Sequence, residues 1–410
     1  MELRPILSTL RRHKTAASLI VLEIALSCAI ICNALFLISG RLESINKVSG
    51  FDEQHIVRVQ VGGIGTDEDA DSLTQTDLAA LRALPGVKNA TTTNQVPFNN
   101  SSWNSSINLT KEQTHQNLNA TVYMGDVQFL DTMGLKLVAG RNFTPDDVVL
   151  FSELEKPNSK VQPHVAILSK ATADKLWPGE NPIGKQYYSW GDDPTRVIGI
   201  VDHFVRPNYN GDGPGGYEYS QLLPVRTSYN VGGNYEIRIA DASQRQATLA
   251  AAEKALLKNA NNRLILNKDT MEDMRSEFYR ADRSMAWMLA SVCVALLIVT
   301  ALGIVGLASF WVQQRTRQIG VRRALGATKG QITRYFQTEN FLLATLGIAI
   351  GMVLAFGINQ LLMGKYELPR LPLMYLPIGA LVLWLLGQVS VFGPARKAAS
   401  VPPAVATRSV

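Results

Sequence analysis

Four stretches of this chain are long, apolar and nearly free of charge, and a water-soluble fold of this size has no interior that could hold all four. Between Lys14 and Arg41 the only charged residue is Glu23; between Arg283 and Arg315, Glu339 and Lys365, and Arg370 and Arg396 there is none. Each stretch exceeds the roughly 20 residues a helix needs to cross the hydrocarbon core. The pattern predicts a polytopic membrane protein with spans at about 15–39, 285–312, 331–363 and 372–393. Because Arg11, Arg12 and Lys14 precede the first block, a cleaved leader is the competing reading. The block is too long for that, and Ser39-Gly40-Arg41 is a poor cleavage site, so an uncleaved span is expected.

The basic residues set the orientation. Residues 1–14, 313–334 and 394–410 together hold thirteen cations and one acid, Glu2, which places these segments in the cytoplasm. Residues 40–284 hold 25 basic and 30 acidic side chains, a net charge of −5, so the +6 of the whole chain sums two opposite populations. It is no argument for nucleic-acid binding. Cys28, Cys32 and Cys293 all lie in apolar blocks, leaving the outer segment without a disulfide framework. The first fourteen residues set Leu3, Ile6, Leu7 and Leu10 on one helical face, which suits either a helix lying on the inner leaflet or an ordinary basic flank.

Within 40–284, two similar units stand far apart. One reads strand 55–61, helix 74–84, a Pro85-Gly86 turn and strand 87–93; the other reads strand 235–239, helix 243–258 and strand 263–266. Two such β-α-β units predict a ferredoxin-like subdomain at about 50–94 and 233–267, split by an insertion at about 95–232 with strands near 164–168 and 196–201. The Asn-, Ser- and Thr-dense run 99–119 and the Gly-rich run 208–216 read as solvated loops. Stretches 41–48 and 269–284 lack Pro and Gly, and are expected to form rigid helical stalks continuous with the first and second spans.

Gly179 to Lys185 has the G-x4-G-K spacing of a phosphate loop, but Gln186 replaces the magnesium-holding hydroxyl, Pro182 interrupts it and no helical pattern follows. A structural turn is expected, with no ATP site, cofactor or metal in this chain. The five histidines are scattered and no catalytic set emerges. Glu23, inside a span, is either a proton or substrate contact or a carboxyl that is paired or neutral.

The connector between the second and third spans carries more pattern than a turn requires. It spaces Ile319, Ala324 and Leu325 among Arg315, Arg317, Arg322 and Arg323, as a small amphipathic helix would, with Gly320 inside it. Gly326 suits the helix end, and Thr328 with Gln331 has capping-box spacing for the next helix. Delimited in this way as helix, break, helix, the connector predicts a docking element for something apolar and acidic.

The segment RTRQIGVRRALGAT at 315–328 resembles the signature that follows the second span in permeases of the MacB/FtsX-like class of ABC transporters, and the tail from Pro394 to Arg408 is similar to that of the same class. Residues 133–143, 165–169, 177–185 and 197–201 resemble the MacB-type periplasmic core. The resemblance implies a non-catalytic, inner-membrane permease with a large α+β periplasmic domain, a porter subdomain carrying an insertion. It also implies a second permease copy, and a cytoplasmic ABC ATPase that binds ATP and magnesium and grips the coupling helix at 316–325. The implied action is mechanotransmission for efflux or export, with a periplasmic adaptor and an outer-membrane channel as further partners. Family members often carry acids at the positions of Gln314 and Gln318, so this connector is more purely basic. The ATPase fused to MacB is not preceding this chain, so a separate ATPase polypeptide is expected. An FtsX-like regulator of a cell-wall hydrolase and a LolC/E-like lipoprotein-releasing permease are the alternatives.

Overall fold

A computed structural model describes residues 14–64, 69–113, 115–190, 193–208, 215–260, 262–366 and 370–402. The amphipathic flank expected at the start and the distal tail with Arg408 lie outside the described residues. The chain divides into two units, Met1–Asn46 with Ala281–Val410, and Lys47–Arg280.

In the first unit the apolar blocks form four helices, Lys14–Ile45, Arg280–Gln314, Lys329–Tyr366 and Tyr375–Ala399. All four are long and apolar enough to cross a bilayer. The first span is the hub of this bundle, with Ile24, Cys28, Ala29 and Cys32 buried. Two glycines one turn apart on the third span make that possible. A Cβ at Gly347 would stand 2.9 Å from the Cβ of Ile24, and one at Gly351 would stand 2.6 Å from the Cβ of Cys28. Close backbone approach of this kind is how helices associate where lipid removes the hydrophobic drive. Asn33 adds a polar tie, its Nδ2 donating to the carbonyl of Ala355 at 3.1 Å. Towards the other unit's end of the bundle, Arg41 of the first span pairs with Asp282 of the second.

The second unit contains two sheets. Strands β1 (Ile56–Gly63), β2 (Val87–Thr93), β12 (Asn234–Ile239) and β13 (Arg263–Thr270) form an antiparallel sheet in the order β13-β1-β12-β2. With helices Ala70–Arg82 and Arg245–Asn259 between the members of each pair, this is the ferredoxin-like arrangement. Val57, Val59 and Val61 alternate onto one face and meet Leu78, Leu81, Leu249 and Leu256 from the two helices. Buried among them, Asp77 pairs with Arg263 and also accepts hydrogen bonds from Tyr235 at 2.6 Å and Asn259 at 2.9 Å.

The insertion carries β3 (Asn104–Ile107), β4 (Leu118–Met124), β5 (Leu137–Gly140), β6 (Val149–Leu150), β7 (Val165–Ser169), β8 (Gln186–Tyr187), β9 (Thr195–Val201), β10 (Ser220–Leu223) and β11 (Val225–Arg226). Seven of them form a mixed sheet ordered β3-β4-β10-β7-β9-β5, with β8 beside β9. The polar run 99–119 is therefore not a plain loop. Its Asn104 to Ile107 pair in register with Thr121 to Leu118, and Ser105 donates to the carbonyl of Ser189 at 2.8 Å. Part of the glycine-rich run, 209–214, lies outside the described residues.

The face of the ferredoxin-like sheet turned away from its helices holds a carboxyl of a different kind. Glu236 on β12 stands opposite Arg58 on β1, is completely buried, and among the described residues no hydrogen-bond donor meets either of its oxygens. Burial pushes its carboxyl up to about 8; Arg58 opposes the rise and Asp269 reinforces it.

The continuous stalks are not formed. The first-span helix ends at Ile45, and residues 46–50 are not helical. On the other side β13 runs on to Thr270, whose hydroxyl caps the helix Met271–Phe278 by accepting from the Asp273 N–H at 3.1 Å. Tyr279 then ends that helix before the second-span helix starts at Arg280. The Tyr279 ring packs against Phe278 at 5.0 Å and Phe98 at 6.2 Å, so an aromatic cluster sits where what sequence alone reads as one rod is interrupted.

Candidate docking helix

The second span does not simply stop at the cytoplasmic end. Helical bonding continues through Arg315, whose N–H donates to the carbonyl of Trp311 at 3.1 Å and whose carbonyl accepts from Ile319 at 2.9 Å. Arg315 itself bends the chain (φ −102°, ψ 10°), and the short helix Thr316–Ala324 follows. It ends as its sequence specifies. Gly326 takes φ +97°, its N–H donates to the carbonyl of Arg323, and the Ala327 N–H donates to that of Arg322, the two bonds of a Schellman turn. Two residues on, the Thr328 N–H donates to Gln331 Oε1 at 2.8 Å and the Gln331 N–H to Thr328 Oγ1 at 3.2 Å, a complete capping box for the third span.

The faces of this helix are distributed differently from the amphipathic reading. Arg315, Ile319 and Arg323, spaced four apart, share the inner side. Ile319 is buried with Ile332 and Phe336 of the third span and Ala395, Ala398 and Ala399 of the fourth, and Gly320 is buried beside it. Arg323 is half-buried and donates to the carbonyl of Ala327 at 3.1 Å. Ala324 and Leu325, expected to share one docking face with Ile319, are exposed while Ile319 is buried, Leu325 being 83% exposed. They lie 500° and 600° round the helix from Ile319 at 100° per residue, so they cannot share its side.

Arg315 is also placed otherwise than a docking cation. Its Nη1 bridges both carboxylate oxygens of Glu339 on the third span, at 3.1 and 2.9 Å, with the side chains 7% and 1% exposed. The guanidinium lies 5.4 Å from the Trp311 ring. What faces outward is a line of Arg317, Val321 and Leu325, with Gln318 and Arg322 beside it. Arg322 sits 4.8 Å over the Tyr335 ring. The sequence reading missed Val321 and Glu339. Glu339 was visible only as the edge of a charge-free block, and nothing local announces its partner 24 residues away.

Between the connector and the third span, Arg315, Gln318, Ile319 and Arg322 face Ile332, Tyr335 and Phe336 across a cleft of about 30 Å³. That is room for a water or two, not for a nucleotide. The phosphate-loop look-alike is a turn: Gly184 donates its N–H to Val197 at 2.8 Å, Lys185 pairs with Glu180, and strand β8 follows where an ATP site needs a helix. Glu23 lies against the second span, where a Cβ at Gly303 would stand 2.4 Å from each carboxylate oxygen. Among the described residues no base or donor meets those oxygens. One turn along the same seam, Ser27 and Thr300 share a hydrogen bond of 2.7 Å.

The MacB-like periplasmic core domain matches residues 18–264, and the FtsX-like permease C-terminal domain matches residues 290–403. The chain belongs to the MacB/FtsX-like permease family. It is 28% identical over 298 residues to the macrolide export ATP-binding/permease protein MacB of Chromobacterium violaceum, covering 70% of this chain and 43% of the relative. With the protein of that name from Mannheimia succiniciproducens it shares 26% identity, over 97% of this chain and 59% of the relative. An uncharacterized ABC transporter permease, YknZ of Bacillus subtilis, is 24% identical over 82% of this chain and 79% of its own. The chain thus spans about half the length of the MacB relatives it matches. It is a multi-pass permease of the cell membrane with its β-rich unit on the periplasmic side, and the connector, one span further along the chain, falls on the opposite, cytoplasmic side.

Proposed function

We propose that this permease works as the membrane subunit of an ABC export system, as a dimer, and that a separate cytoplasmic ATPase, which binds the ATP and magnesium, grips the outward line of the connector helix. The observation that carries the reading is that line itself. Val321 and Leu325 are exposed apolar side chains flanked by Arg317 and Arg322, on a helix closed by the Gly326 turn and seated on the third and fourth spans. Two neighbouring exposed apolar side chains rimmed by cations suit a partner that covers them with an apolar surface bearing acidic groups. Nucleotide-driven movement of the ATPase would then displace the connector and the bundle beneath it, biasing a two-state element. This is mechanotransmission rather than passage of cargo through the spans. With the helices ending at Ile45 and Tyr279, the movement is handed on through jointed segments instead of stiff rods. The cargo fits the family's efflux and export of drugs or peptides, with an adaptor and an outer-membrane channel as further partners. Glu23, which meets no counter-ion among the described residues in the seam between the first and second spans, fits a proton-binding role.

The test is ATPase stimulation by the purified permease in nanodiscs. Arg317→Glu with Arg322→Glu is expected to reduce stimulation at least tenfold while membrane insertion and bundle stability stay at wild-type levels. Undiminished stimulation would remove the docking assignment.

A further inference from the structure

The Arg315–Glu339 pair has features that docking does not account for. It sits where the second-span helix turns into the connector, and its two partners come from different spans. Arg315 is the bend residue, so whatever fixes its side chain fixes the angle at which the connector leaves the second span. The pair is almost fully removed from solvent, beside the indole of Trp311, where neither charge can be left without the other. Both carboxylate oxygens of Glu339 are engaged by the one guanidinium nitrogen, at 3.1 and 2.9 Å.

The rest of the connector is held at two further places. Ile319 is seated among Ile332, Phe336, Ala395 and Ala398, and the Gly326 turn leads directly into the Thr328 capping box. Removing the ion pair would leave the middle and the far end anchored, with the near end joined to the second span by backbone bonds and the Thr316 hydroxyl's bonds to the Val312 and Gln313 carbonyls, and no longer tied to the third span at Glu339.

We infer that Glu339 is a positioning residue: through Arg315 it locks the connector to the third span, so that the Arg317, Val321 and Leu325 line is presented at one fixed angle and moves as one body with the third and fourth spans. The inference rests on the docking reading for its functional consequence, and on the pair alone for its mechanical one.

Two measurements separate these. In the first, a spin label is attached at position 325 through Leu325→Cys in the permease alone, in nanodiscs, and its mobility is read with Glu339 intact, in Glu339→Gln, in Arg315→Lys, and in the exchanged pair Arg315→Glu with Glu339→Arg. The label is expected to become more mobile in both single variants and to return towards the intact spectrum in the exchanged pair. In the second, permease-stimulated ATPase activity is titrated with unlabelled forms carrying Leu325. Glu339→Gln should lower maximal stimulation about tenfold, and the exchanged pair should recover to within about threefold of wild type.

Should Glu339→Gln prove too unstable to purify, the shortened acid in Glu339→Asp and the Arg315→Lys variant carry the same comparison. Wild-type label mobility in the single variants, or an exchanged pair no better than either, would overturn the clamp. A wild-type permease that fails to stimulate the ATPase would instead sink the docking reading, leaving the label spectra to judge the clamp by themselves.

Discussion

Both units of the molecule bury an arginine against a carboxylate, and they treat it differently. In the ferredoxin-like subdomain, Asp77 is met by Arg263, Tyr235 and Asn259 together, and Arg263 also donates to the Leu256 carbonyl at 2.6 Å. In the membrane bundle Glu339 meets Arg315 through a single guanidinium nitrogen, and Nη2 of Arg315 is buried without a hydrogen-bond partner. Fully satisfied networks make a core rigid and specific, whereas a partly satisfied pair holds one geometry with less in reserve. The first arrangement suits a scaffold and the second a joint. Glu236, buried with neither oxygen bonded, stands at the far end of the same series.

The largest expected effect tests the scaffold end of that comparison. Asp77→Ala leaves Arg263 charged and unpaired inside the core, and should destabilise the outer unit by about 3–5 kcal/mol. Thermal unfolding of the full-length protein, followed by near-ultraviolet circular dichroism, reads it; a shift no larger than that of an exposed substitution would place this pair with the joints.

Glu236 sharpens the comparison through pH. Its folded pKa is raised from the ordinary 4.5 to about 8, so the unfolded chain ionises first as pH rises. The stability associated with the neutral carboxyl is fully present below pH 4.5 and is lost as pH climbs towards 8, at up to about 1.4 kcal/mol per pH unit. Glu236→Gln should flatten that slope, leaving the variant more stable than wild type at pH 8. A slope identical in both proteins would assign the titration elsewhere.

Within the bundle, Gly351→Ala should cost about 1–3 kcal/mol, because its methyl group meets the Cβ of Cys28 and the carbonyl oxygen of Ala25 at 2.6 and 2.7 Å. Gly357, on the same helix with nothing within 4 Å of an added Cβ, is the control, and alanine there should be neutral or slightly stabilising. Detergent-dependent unfolding of the two variants compares them directly, and equal behaviour would mean that the first and third spans do not rely on close approach. The smallest effect is expected at the docking line, where Leu325→Asp should alter stability by less than about 0.5 kcal/mol. If it unfolds the bundle, Leu325 belongs to the core of an assembly rather than to a face awaiting a partner.

Some of this architecture was readable along the chain and some was not, for reasons that differ by element. Val57, Val59 and Val61 alternate, and Val87 to Thr93 is bounded by a Pro-Gly turn, so those strands announce themselves. The connector's ends were equally legible because capping is local: Gly326, Thr328 and Gln331 act within one turn of where they stand. By contrast, Ser105 and Asn104 look like loop residues until β4 and Ser189 supply their partners. The stalks read as unbroken helix because nothing near Tyr279 is a helix breaker; the Phe98 ring that Tyr279 packs against at the break comes from far away in sequence.

By itself the sequence determined the four spans, their orientation, the split ferredoxin-like subdomain and the boundaries of the connector helix, since each follows from hydropathy, charge or backbone preference summed over neighbouring residues. Tertiary structure alone decided which side of the connector faces out, that Arg315 is consumed by Glu339 while Arg317 and Arg322 are presented, and that Glu236 is sealed without a partner. Those outcomes depend on desolvation and on contacts between residues distant in the chain, and neither leaves a periodic trace for sequence to carry.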